Sequence, residues 1–112
     1  MNNGRTIKPS FWSGEQCFWC SKPLMYGWVG RANPELESSV RSRDHFIPKS
    51  SGGHGFTVPS CRECNGLKAN MEPMEFRNKF RRNVSVEKIE ATLLLAENAA
   101  VADEPNNIRY LA

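Results

Sequence analysis

No stretch of this chain comes near the roughly 20 consecutive apolar residues that a membrane span needs, so no helical span is expected. No apolar segment follows the polar start, Met1-Asn2-Asn3-Gly4-Arg5, so no secretory signal is expected and the setting is predicted to be a reducing cytoplasm. No internal repeat is present. Cysteine is scarce: four residues, all spent in two Cys-x-x-Cys pairs, Cys17/Cys20 and Cys61/Cys64. At 112 residues there is room for one domain. A domain of this size buries only about two-thirds of its unfolded surface, and small folds often add a metal or disulfides in compensation.

Charge is unevenly spread. The chain carries +3 overall, but residues 1–82 hold a net +6 and residues 83–112 a net −3. Both Cys pairs lie in the basic part. A basic face around a site suits a polyanion such as nucleic acid. A solvated surface of mixed sign is the plainer alternative.

Four cysteines are compatible with two disulfides in a secreted chain. A Cys-x-x-Cys pair, however, closes a strained loop as a disulfide and suits two ligands of one tetrahedral ion. Forty residues separate Cys20 from Cys61, too many for a short zinc finger but suited to an ion that clamps an inserted hairpin to a helix. A redox role would call for the strand-helix alternation of a thioredoxin-like domain, which is missing. The spacing therefore predicts one structural zinc on Cys17, Cys20, Cys61 and Cys64.

Residues 1–14 read as a loosely held arm, and Cys17-Phe18-Trp19-Cys20 as a tight knuckle. Residues 27–39, rich in Gly, Pro, Asn and Ser, read as a variable loop. Val40 to Ile47 reads as a strand, followed by a flexible loop around Ser50–Gly55. Phe56-Thr57-Val58 is a second short strand that Pro59 is expected to stop. A helix is predicted from Arg62 to about Met71, another from Pro73 to Arg82, and a third capped by Ser85 and running to about Ala102. In the last, Val86, Ile89, Leu93, Ala96 and Ala100 form one apolar stripe. Phe18, Trp19, Trp28, Phe76 and Phe80 are candidates for the core or the zinc cover.

Between the Cys pairs stands Asp44-His45, and the second pair runs into Asn65 and Lys68. Neighbours on a strand face opposite ways, so Asp44 and His45 can serve one site only if the backbone is local to it. The segment Asp44-His45-Phe46-Ile47-Pro48-Lys49-Ser50, then Gly52-Gly53, then Val58-Pro59-Ser60-Cys61-Arg62-Glu63-Cys64-Asn65-Gly66-Leu67-Lys68 closely resembles an HNH endonuclease of the four-Cys zinc-braced variety. The resemblance covers roughly residues 15–82.

It implies an α+β fold, the ββα-metal or treble-clef-like hairpin plus helix braced by zinc, with further helices behind it. The domain would span 15–82, with the arm 1–14 before it, a packed helix over 83–104 and a tail over 105–112. His45 matches the family's general base. Asp44 and Asn65 match the two protein ligands of a catalytic divalent ion, magnesium or manganese, with nickel or another divalent ion the alternative. The substrate would be DNA, cut to 5′-phosphate and 3′-hydroxyl ends. Lys68, one helical turn after Asn65, and Arg41, Arg43, Lys49 and Arg62 are the candidates for backbone phosphates.

One position departs from the family pattern. An Asn that braces the hairpin loop and the base usually stands about five residues before the second Cys pair; here it is Phe56. His54, in the Gly-rich loop, is a candidate accessory residue. Two other functions remain open: a nucleic-acid-binding module of the same fold that does not cut, and a protein-interaction module. No recognition module fits in the remaining length, so a protein partner is a candidate source of specificity. A monomer is expected, with the stripe from Val86 to Ala100 as a dimer seam the alternative.

Overall fold

The computed structural model describes residues 8–49, 52 and 55–102, with 99–102 described by backbone alone. His54 and the tail after 102 lie outside the described residues. The described chain is α+β, with two separate two-stranded antiparallel sheets and four helices.

A 3-10 turn, Pro9–Phe11, leads into β1, Trp12–Gln16, which pairs with β2, Pro23–Met25. The end of the expected arm is thus part of a hairpin. Its register slips between Trp12 and Gln16. Gly14 sits inside that irregularity at φ +92°, a conformation glycine adopts without strain. The Cys17–Cys20 knuckle is the tip of this hairpin. The Cys17 N–H donates to Lys22 O (2.9 Å), and the Ser21 N–H returns to Cys17 O (2.9 Å).

Residues 27–39 are more ordered than their composition suggests. Helix α1 spans Gly27–Ala32 and a 3-10 turn spans Pro34–Ser39. Packing overrides composition here: Val29 and Gly30 are buried, and the Asn33 amide donates to Val29 O (3.1 Å). A Cβ at Gly30 would lie 2.5 Å from a Val40 methyl, so the close approach of α1 to Val40 needs glycine.

Strands β3, Arg41–His45, and β4, Thr57–Cys61, form the second sheet, with Asp44 opposite Val58 and His45 opposite Thr57. Pro59 does not end the strand; it lies inside it, opposite Arg43. Its carbonyl accepts the Phe18 N–H (2.9 Å) and so points away from β3. The missing N–H of proline points the same way, and the β3–β4 ladder loses nothing. The same bond ties the knuckle to the hairpin.

Helix α2, Arg62–Lys68, begins immediately after β4. Cys61 is its N-cap, with Sγ accepting the Cys64 N–H at 3.3 Å. It ends at Lys68, three residues short of Met71, and is capped by Ala69, whose φ is +46°. Helix α3, Pro73–Phe80, starts on proline and ends in a left-handed Arg81, with the Arg82 N–H bonded to Arg77 O at 3.0 Å. Helix α4, Val86–Ala102, is capped as expected: Ser85 Oγ accepts the Lys88 N–H at 3.0 Å.

The core lies between these parts. Trp19 and Phe46 stack at 5.8 Å, and Phe76 meets the Trp19 ring edge-on at 5.2 Å. From the α4 stripe Ile89 and Ala96 are buried and Leu93 packs beside them. Trp28, expected as core or zinc cover, is instead 45% exposed and leans edge-on against Phe11. No described helix is long and apolar enough to cross a membrane.

Candidate metal cluster and strand–helix site

The first hairpin tip and the β4–α2 junction bring all four cysteines together. Their Sγ atoms lie within 4.8 Å of one another, with Cys20 and Cys61 at 3.9 Å. Sulfurs at about 2.3 Å from a tetrahedral zinc ion stand roughly 3.8 Å apart, so the cluster is positioned to hold such a metal. The chain supplies the surrounding donors. The Cys61 N–H points at Cys17 Sγ (3.4 Å), and the Arg82 guanidinium donates to Cys64 Sγ (3.3 Å). That bond raises the Arg82 pKa and keeps the cation in place. Such contacts set the orientation and charge of metal ligands.

The thiols also constrain one another. Hydrogen bonds from Cys61 and Cys64 draw Cys17 far below the usual thiol range, while the bond to Cys17 pushes Cys61 up to about 11 and raises Cys64 as well. Without a metal the cluster therefore favours the thiolate at Cys17 over Cys61 and Cys64. A dication would favour thiolates throughout.

Beside the cluster, β3 and α2 face each other. Ser42 and Asp44 occupy the face of β3 turned to the helix and core; Arg41, Arg43 and His45 alternate to the other face. Asn65 donates Nδ2 to Ser42 Oγ (3.1 Å) and Arg43 O (3.4 Å). Asp44 is 2% exposed. Its Oδ2 accepts the Trp19 indole N–H at 3.0 Å, and its Oδ1 lies 3.5 Å from Lys68 Nζ. Lys68 is fully buried and also donates to His45 O at 2.8 Å. Burial raises the Asp44 pKa against the pull of Lys68 and Trp19, and burial lowers that of Lys68 against the pull of Asp44.

The sequence candidates are thus divided between two sides. Asp44, Asn65 and Lys68 converge on the strand–helix seam. His45 is half-buried at the end of β3, on the other face, with exposed Arg41 and Arg43 behind it. Arg41 lies over the Tyr26 ring at 5.1 Å, and Arg43 pairs with Glu15 at 3.3 Å. Arg62 is exposed and paired with Glu37; Lys49 is exposed. Lys68, expected to hold a phosphate, is turned inward. Phe56 packs edge-on against Phe46 at 6.4 Å, and its carbonyl accepts the Phe46 N–H at 3.0 Å. It extends the hairpin by packing, where the family pattern has an amide.

A hard divalent ion takes oxygen ligands and keeps room for water. Asp44 does not offer that as arranged, because both carboxylate oxygens are engaged and the group is sealed from solvent. The residues expected to hold a catalytic metal do not form an open site here. Sequence reasoning also missed two partners. Trp19 was expected only as core or zinc cover, and Arg82 only as a helix end; neither position carries a local signal of its contact. No protein-family model, curated protein or solved structure matches the chain.

Proposed function

We propose that the chain is an HNH-type endonuclease that hydrolyses DNA phosphodiester bonds, with His45 as the general base. The observation that carries this reading is the shared outer face of Arg41, Arg43 and His45 on β3, in a hairpin whose junction with α2 the cysteine cluster ties to the first hairpin tip. Alternate strand residues repeat at about 6.8 Å, a spacing on which two guanidiniums can follow a phosphate backbone toward the imidazole. His45 closes the strand and is half-buried, so its ring can take a proton from a water aimed at phosphorus. Asp44 and Asn65 remain the ligands the resemblance implies for a divalent ion, which would supply charge stabilisation to the leaving oxygen. As arranged, Lys68 holds the Asp44 carboxylate.

The closure of Asp44 favours a second reading, a nucleic-acid-binding module that grips through the same face and does not cut. The ends of the products test the choice. Fragments from a labelled duplex that DNA ligase rejoins without kinase treatment carry 5′-phosphate and 3′-hydroxyl, as the nuclease reading requires. A salt-sensitive complex with the duplex recovered whole, retained by His45→Ala, would support the binding module instead.

A further inference from the structure

Four ion pairs occur among the described residues, and one differs from the rest. Lys22–Glu63, Arg43–Glu15 and Arg62–Glu37 lie at the surface. Lys68–Asp44 has side chains only 0% and 3% exposed. The Lys68 ammonium sits between two oxygens, Asp44 Oδ1 at 3.5 Å and His45 O at 2.8 Å, with the Trp19 ring 5.7 Å away. A carboxylate and a backbone carbonyl are donors of the kind a hard divalent cation uses. A protein ammonium already fills the place where such a cation would bind.

We propose that Lys68 is the resident cation of the Asp44 pocket and competes with divalent metal for that carboxylate. The proposal rests on the reading of Asp44 as the metal-binding carboxylate and adds the control of its occupancy. Two cations cannot share one sealed carboxylate without strong repulsion, since little solvent screens them. A metal ion would bind Asp44 only if the buried Lys68 ammonium left it. Lys68 therefore sets the metal concentration at which the site fills.

The test is manganese binding to the zinc-loaded full chain, read from the electron paramagnetic resonance signal of free Mn2+. Wild type, Lys68→Met, Lys68→Gln and the double variant Asp44→Asn/Lys68→Gln are compared, each checked for its fold by circular dichroism. Lys68→Gln keeps a hydrogen-bond donor toward His45 O and guards against loss of folding in Lys68→Met. Competition predicts that a folded Lys68 variant binds Mn2+ at least about tenfold more tightly than wild type, and that the double variant loses the gain. Equal affinity in wild type and the folded Lys68 variant, whether tight or undetectable, overturns the proposal. Plasmid cleavage is scored separately. Tighter Mn2+ binding without cleavage keeps the competition and removes the nuclease reading; cleavage by wild type with unchanged Mn2+ affinity does the reverse.

Discussion

The indole N–H of Trp19 donates to Asp44 Oδ2 across 3.0 Å, which joins the middle of the first Cys pair to the strand that carries the candidate site. Because Trp19 is fully buried and lies between two cluster cysteines, any shift of the knuckle is felt at Asp44. The cysteine cluster and the strand–helix seam are thus linked through one side chain.

Trp19→Phe tests that link. The ring remains in the stack with Phe46, but Asp44 loses a donor in a sealed place. An unsatisfied buried group costs about 1–3 kcal/mol, so the urea midpoint falls accordingly while the slope of the transition is unchanged. An unaltered midpoint would mean that the bond contributes nothing.

Removal of the cluster has a larger effect. Cys61 is both a cluster member and the N-cap of α2, so Cys61→Ala removes a thiolate and a cap together. The variant is expected to lose its cooperative thermal transition, because the free energy of structural zinc is folding free energy. A strong chelator should do the same to wild type. A parent-like melt with no bound zinc would contradict the clamp.

Protons and a bound zinc ion would compete for the same sulfurs. Cys61 is raised to about 11 and Cys64 is raised as well in the metal-free cluster, so both are protonated at neutral pH and zinc must displace those protons. Proton release on binding means that affinity rises with pH and falls as the solution is acidified. Zinc titrations in buffers of different ionisation enthalpy measure the released protons directly.

Arg82 reaches the cluster from outside, donating to Cys64 Sγ while its guanidinium lies 5.9 Å over the Phe76 ring. Arg82→Ala is expected to weaken zinc binding about 10- to 100-fold, the usual range for an outer contact to a metal ligand. Competition with a coloured chelator reads this, and Arg82→Lys should recover part of the loss.

Much of this arrangement was legible in the sequence, for physical reasons. The two Cys pairs predicted their own meeting, because four soft ligands have one economical geometry. Ser85 and Pro73 marked their helices by local chemistry that does not depend on the rest of the fold. The misses came from contacts across the chain. The 27–39 segment is helical because Val29 and Gly30 pack on Val40. Pro59 stays within a strand because its nitrogen faces away from the ladder. The inward turn of Lys68 follows from Asp44 and His45 O lying on the facing strand, which helical spacing alone does not reveal. Spacing did predict that Asp44 and His45 face opposite ways, and they do.

In the proposed function His45 activates water at a DNA phosphodiester. Supercoiled plasmid incubated with the purified zinc-loaded chain in magnesium, manganese, nickel or EDTA, beside His45→Ala, tests it most directly. Nicked or linear plasmid is expected with a divalent metal, none with EDTA, and a rate at least about a hundredfold lower in His45→Ala, the scale of a lost general base. Intact plasmid under every metal, or equal cleavage by the variant, would contradict it.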